Sequence, residues 1–455
     1  MKTKSNFSKK FVYSIGNIGG SIAYMTFTTY LIFFYVDVMG LPPTLAGSAM
    51  IVFTIWNMLN DPLAGYISDR TRTKWGRRKP YILFGSIPLF ITFMLLWSPS
   101  NSFLETTSKL FAYFLTIICL YDTFFSVVEL NYTAVYPEMY PDLKDRSEVT
   151  AYMQIMYMVG SMIGTALPPL IYGRLGWRYM GLILGGLIIL FKMISLIGIK
   201  EEKVFAQDIQ PSLWKSLSLT LTNRSFLPAV ITNLLAIYAV GMITAIAPFY
   251  TKYVLNFGES ETSLFLAIMT LTSIPFMVVW SKFIVVKLGP KKSFIASLII
   301  LGLLVLSALV LKPEAAIIIA ILIGIGLSGV ALLPYVVIAD VIDEDEVNNG
   351  VRREGMYFGI NGFMIRFSGI IQGGTIGYLL PIFGYIETST YQPASAIWGF
   401  KVMISIIPML ALLIGAFIIW KFYPLYGEKL NAVKETLADL HKKKKEQLIK
   451  GEPQS

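Results

Sequence analysis

Long apolar stretches separated by short polar connections run through the chain from residue 11 to residue 423. They fall at 11–36, 43–67, 81–98, 110–135, 149–172 and 179–199, and again at 226–250, 263–280, 294–311, 315–338, 355–380 and 397–423. Each is close to the ~20 residues a helix needs to cross a ~30 Å hydrocarbon core. The pattern predicts an all-α membrane protein with twelve transmembrane helices. Its domains read as a six-helix bundle over 1–199, a central cytoplasmic loop over 200–225, a second six-helix bundle over 226–423 and a basic tail over 424–455. Residues 211–222 have the makings of a short surface helix, and the tail of a helix followed by disorder. The first apolar run is long enough to span by itself, so no cleavable signal peptide is expected.

Composition sharpens this. Of 455 residues, 55% are hydrophobic and 15% charged, which suits neither an ordinary soluble chain nor a disordered one. A net charge of +10 could suggest nucleic acid, but the basic residues sit between apolar runs and form no continuous patch. They report topology instead: 30 Lys and Arg fall on one side of the twelve spans and 6 on the other. By the positive-inside rule both termini are cytoplasmic, in a multi-pass protein of the cell membrane. Cys119 and His441 are the only cysteine and histidine, which leaves no disulfide framework, zinc cluster or histidine-based catalysis. No GxxxxGK[ST] phosphate loop is present, against ATP-driven transport. The chain is expected to be no enzyme, to need no cofactor beyond a coupling ion, and to bind no nucleic acid.

The halves repeat. Pro62, Lys74, Gly76, Arg78 and Lys79 recur 213 residues later as Pro275, Lys287, Gly289, Lys291 and Lys292, again after an even-numbered span. Two six-helix pseudo-repeats of parallel type are the mark of the major facilitator fold, with a substrate site between the halves near mid-membrane.

The run from Asn60 to Pro80, NDPLAGYISDRTRTKWGRRKP, closely resembles the signature of the glycoside–pentoside–hexuronide:cation symporters. Ala339 to Asp343 and Gly350 to Tyr357 look like that family's motif after span ten, and the similarity extends over all twelve spans. The resemblance implies a secondary active transporter that carries a sugar or glycoside with H+ or Na+ by alternating access, as a monomer. A lipid or lysolipid carrier of the same fold and a sugar sensor that does not translocate are the alternatives.

Polar residues inside the spans are the candidate site, because charge within a bilayer is costly and is usually kept for function. Asn57, Asn60 and Asp61 share one face of span two, and span four presents Asp122, Ser126 and Glu129, with Asp122 and Glu129 seven apart on one face. The resemblance makes these six the cation-coupling set, with Asp61 matching a family aspartate. The plainer reading is that they tie helices together. Asn57 and Ser21 are neutral where melibiose-permease-like members carry acids, which weakens a sodium site and favours a proton on Asp61, taken to lie among apolar neighbours. Arg366 is either a cavity residue that offsets the carboxylates or meets an acidic substrate, or a permanent salt bridge. Ser21, Thr133 and Gln154 replace the family's charged and aromatic sugar contacts, and Tyr24, Asn361, Tyr132, Tyr152 and Tyr357 could add polar or stacking contacts. Asp69, Arg70, Gly76, Arg77, Glu138, Arg146 and Arg353 form the expected gating set at the cytoplasmic ends. Lys192, near the end of span six, is expected to snorkel to the headgroups.

Overall fold

In a lipid solvent each helix satisfies its own backbone, so apolar stretches of this length fold as helices even where proline interrupts them. The computed structural model describes residues 9–71, 73, 75–76, 78–140, 143–199, 223–310, 312–350 and 354–450. The central stretch over 211–222 lies outside them. The long helices are α1 (Lys9–Val38), α2 (Pro43–Arg70), α3 (Lys79–Leu96), α4 (Thr107–Met139), α5 (Leu143–Leu175) and α6 (Trp177–Gly198). They continue with α7 (Phe226–Val254), α8 (Glu259–Val279), α9 (Val285–Leu304), α10 (Ala316–Asn349), α11 (Glu354–Ile382), α12 (Ala394–Phe422) and α13 (Gly427–Lys450).

Among the described residues nine helices are long and apolar enough to cross a membrane. One of the nine, Glu259–Val310, joins α8 and α9 across a π turn and a break at Gly289. α2 and α11 are as long as the others but fall outside the nine, and they are the helices that carry Asn57, Asn60, Asp61 and Arg366. Several helices outrun their apolar stretches. α10 continues through Asp340, Asp343, Glu344, Asp345 and Glu346 to Asn349, because a polar run ends burial in lipid without ending a helix.

Helix pairing repeats at an offset of six. α1 packs on α5 and α6, α2 on α4, and α3 on α4 and α6; α7 packs on α11 and α12, α8 on α10, and α9 on α10 and α12. Between these two sets α2 meets α11, α5 meets α8, and α1 meets α7. The sequence repeat has a backbone counterpart. Gly76 and Gly289 have φ of +111° and +77°, in the region that favours glycine, and Pro62 and Pro275 both lie inside helices.

Odd-numbered helices run away from the face that holds the N-terminal residues, here the termini face. At the opposite face Asp37 of α1 is buried against α7 and the segment after α11. Its carboxylate lies 2.5 Å from Lys252 Nζ and accepts hydrogen bonds from the hydroxyls of Tyr253 and Tyr385, the latter at 2.7 Å. Phe33 packs edge-on to Phe249, which stacks on Phe400, so apolar rings fill the space below this cluster. At the termini face α13 lies along α10 with Leu430 and Val433 buried, while Lys429 and Lys434 pair with Glu344 and Asp340.

Candidate functional site

The contact between α2 and α11 is tightest near the opposite face. A Cβ built on Gly47 would meet the Gly373 carbonyl at 2.4 Å and Gly377 Cα at 2.8 Å, so only small residues allow the approach. One on Gly369 would meet Thr54 Oγ1 at 2.9 Å. Further along, Arg366 Nη2 pairs with Asp61 Oδ2. Beyond that pair Gly65 of α2 and Gly362 and Gly359 of α11 face open space. The closest described contacts between the two helices run from Gly47–Gly373 to Asp61–Arg366.

Around this junction Asp61 of α2 and Asp122 and Glu129 of α4 have separate partners. Asp61 accepts a hydrogen bond from Ser126 of α4 besides its ion pair with Arg366 of α11. Asp122 is buried and accepts from Asn57 Nδ2 at 2.6 Å and Asn60 Nδ2 at 3.1 Å; Asn60 also reaches the Asp122 carbonyl at 3.2 Å. Glu129 turns to the other side of α4, where its Oε1 lies 2.6 Å from Lys192 Nζ of α6 and close to Gly20 of α1.

Two expectations are corrected. Lys192 does not snorkel: its side chain is 0% exposed, held between Glu129 and the face of Tyr132, 4.0 Å from the ring centre. Nor does Asp61 sit among apolar neighbours, because a guanidinium and a hydroxyl engage its two oxygens. Both readings failed for one reason: the partner lies on a helix remote in sequence.

The remaining residues divide. Tyr24, Thr133 and Gln154 are exposed, and Tyr24 is close enough to Tyr157 of α5 and Tyr335 of α10 to interact with both. Thr133 donates to the Glu129 carbonyl at 2.7 Å. Ser21 is buried and donates to carbonyls of its own helix, and Asn361 is buried and accepts from Asn233 at 2.9 Å. Tyr132 and Tyr357 are likewise buried, bonded to Tyr13 and Asn223, while Tyr152 meets Phe11 edge-on.

Of the gating set, the Arg70 guanidinium lies 3.8 Å from the centre of the Tyr66 ring, and Gly76 closes a tight turn with Thr73. Arg77 and Arg353, and the side chains of Asp69, Glu138 and Arg146, lie outside what the structure describes. Sequence reasoning missed Asp37, Tyr157 and Tyr335, and gave Lys192 the wrong surroundings. An isolated carboxylate at the end of span one was the available signal for Asp37.

Membrane-length helices, paired in two sets and meeting at a polar junction, define a multi-pass membrane protein. The family model described as "MFS/sugar transport protein" matches residues 12–427, and the chain belongs to that family. It is similar to the glucuronide carrier protein homolog of Escherichia coli (strain K12), 25% identical with 96% of each chain covered. It is also similar to the sodium-dependent lysophosphatidylcholine symporter 1 of Gallus gallus, 23% identical over 95% of this chain and 89% of the other. The crystal structure of the nucleoside transporter NupG shares the fold, with a TM-score of 0.66 over 92% of this chain and 100% of the other at 13% identity.

Proposed function

We propose that the chain is a symporter that couples one cation, H+ or Na+, to a sugar or glycoside, and that the cation binds at Asp122. The observation that carries this is a charge imbalance. Asp61 is balanced by Arg366 and Glu129 by Lys192, whereas Asp122 meets only the neutral amides of Asn57 and Asn60. A lone carboxylate in the span is expensive to carry across, and one bound cation removes the cost. The amide nitrogens and oxygens of asparagine are assigned from the hydrogen-bond network. As they stand, the N–H groups of Asn57 and Asn60 stabilise the ionised carboxylate; turned over, their oxygens serve either a sodium ion or the hydroxyl of a protonated Asp122. The family description and the glucuronide-carrier relative support a sugar, and Tyr24, Thr133 and Gln154 offer it exposed polar and aromatic groups. The lysolipid relative keeps a lipid cargo as the second reading.

The topology belongs to the same proposal. The nine apolar helices, the second member of the α8–α9 run, and α2 and α11 together make twelve spans (9 + 1 + 2), in bundles over 1–199 and 226–423. The basic loops put the termini face in the cytoplasm.

Uptake into vesicles under an imposed pH or sodium gradient tests the coupling, with sugars and lysolipids as substrates. The cation gradient should concentrate a sugar, and Asp122→Asn should still exchange it but fail to concentrate it. Full accumulation by Asp122→Asn would remove the cation from this residue, and transport of lysolipids alone would select the second reading. In a Cys119→Ala background, Ser389→Cys should react from outside intact cells and Thr73→Cys should be protected. Outside labelling of both would sink the twelve-span topology.

A further inference from the structure

The Glu129–Lys192 pair is not needed to join helices, since α1, α4 and α6 are already tied nearby. Tyr13 and Tyr132 each donate a hydroxyl to the other's carbonyl, at 2.5 and 2.6 Å, and their rings stack at 4.7 Å. Gly16 and Gly19 bring α1 against Tyr132 and the Ile188 carbonyl. Within this tied frame the Glu129 carboxylate and the Tyr132 ring face converge on one point, and both attract positive charge. The point is filled by the Lys192 ammonium, 2.6 Å from Glu129 Oε1 and 4.0 Å from the centre of the Tyr132 ring. That ammonium makes no hydrogen bond to a neutral acceptor among the described residues. The two partners also differ in access: Lys192 is wholly buried, while the Glu129 side chain is 20% exposed. At Gly20 a Cβ would meet Glu129 Oε1 at 2.5 Å, so α1 leaves room for the carboxylate where a larger residue would displace it.

We infer that Lys192 is a tethered cation occupying what would otherwise be a second coupling-cation site at Glu129, and that it thereby fixes the stoichiometry at one. The inference rests on the symport reading above. With Lys192 in place, binding at Asp122 brings the interior charges to zero. Without it, Glu129, whose side chain is 20% exposed, presents a second carboxylate with no counter-charge among the described residues, and a second mobile cation takes the ammonium's place. Glu129 is then a coupling residue held out of use, unlike Asp122.

The test is the accumulation ceiling in vesicles as the imposed gradient of the coupling ion is varied, read for wild type, Lys192→Met, Lys192→Gln and Glu129→Gln/Lys192→Met. Wild type should follow the first power of the gradient. Lys192→Met should follow the second power, so that a tenfold gradient raises the ceiling from about 10-fold to about 100-fold, each cation adding its own RT ln of the ratio. The double variant should return to the first power. Lys192→Gln, which keeps a donor beside Glu129, runs in parallel so that failed membrane insertion of one variant does not decide the matter. First-power behaviour of the Lys192 variants overturns the inference. So does loss of accumulation by them, whether or not the double variant restores it: bare Glu129 would then block transport, or Lys192 would act apart from the pair. Wild type that ignores every cation gradient refutes the symport reading itself, a result distinct from all of these.

Discussion

On the topology proposed above, the outer and inner ends of the bundle show different kinds of contact among the described residues. At the outer end Asp37 of α1 meets Lys252 and Tyr253 of α7 and Tyr385 after α11, Phe33 meets Phe249, and Ser263 of α8 donates to the Ala166 carbonyl of α5 at 2.5 Å. All of these cross from one helix set to the other. At the inner end the described ion pairs stay within a set or reach only the tail. Lys10 of α1 pairs with Asp145 and Glu148 of α5, and Lys429 and Lys434 of α13 pair with α10. The lesson concerns motion: contacts between sets must break when the outer side opens, and contacts within a set need not. Asp61–Arg366, where the closest described contacts between α2 and α11 end, stands at the boundary between the two regimes.

Breaking that boundary should have the largest effect. Arg366→Ala should reduce accumulation to background with the protein still inserted, since removing one partner of a largely buried pair costs about 3–5 kcal/mol. Arg366→Lys should keep part of the activity. Normal uptake by Arg366→Ala would reduce the pair to a passive tie. A smaller effect is expected at the outer end. Asp37→Asn removes charge-assisted bonds worth about 1.5–3 kcal/mol and should shift the population toward outward opening by about tenfold or more. The readout is labelling of Tyr24→Cys by an impermeant reagent added outside, in the Cys119→Ala background. An unchanged rate would mean that Asp37 does not hold the outer end shut. The smallest change belongs to Lys10→Met. Lys10 is buried, but its partners are 35% and 43% exposed and the pairs lie within one set, so they do not oppose a movement of the two sets. The same labelling rate and near-normal uptake are expected; an increase comparable to that of Asp37→Asn would erase the distinction between the ends.

The sequence makes the membrane class plain, because apolar length is a local property that survives without knowledge of neighbours. The 213-residue repeat was legible for the same reason, and the matching left-handed glycines at 76 and 289 supply its backbone counterpart. What could not be read was pairing. Lys192 lies six residues from the end of its helix, a placement common to snorkelling and buried lysines, and only the reach of Glu129 from α4 to Lys192 separates them. Asp61, Asp122 and Glu129 look interchangeable as intramembrane acids until each acquires a partner. Ser21 and Asn361 show the converse: polar side chains at candidate positions were turned toward neighbouring helices by a fraction of a turn that spacing alone does not fix.

That fraction of a turn matters most where α1 and α7 end in π turns, at Phe34–Val38 and Tyr250–Val254, closed by Met39 N–H to Phe34 O and Leu255 N–H to Tyr250 O. A π turn accommodates one residue more than regular winding, which moves everything beyond it by roughly 100° around the axis. Asp37 and the Lys252–Tyr253 pair both lie in these turns, at corresponding places in the two sets. Their meeting is therefore a matter of phase as much as of chemistry. Removing Phe34 or Val36 from the first turn would preserve every charge and hydroxyl and aim Asp37 past its partners, so the spacing of this segment is itself part of the lock.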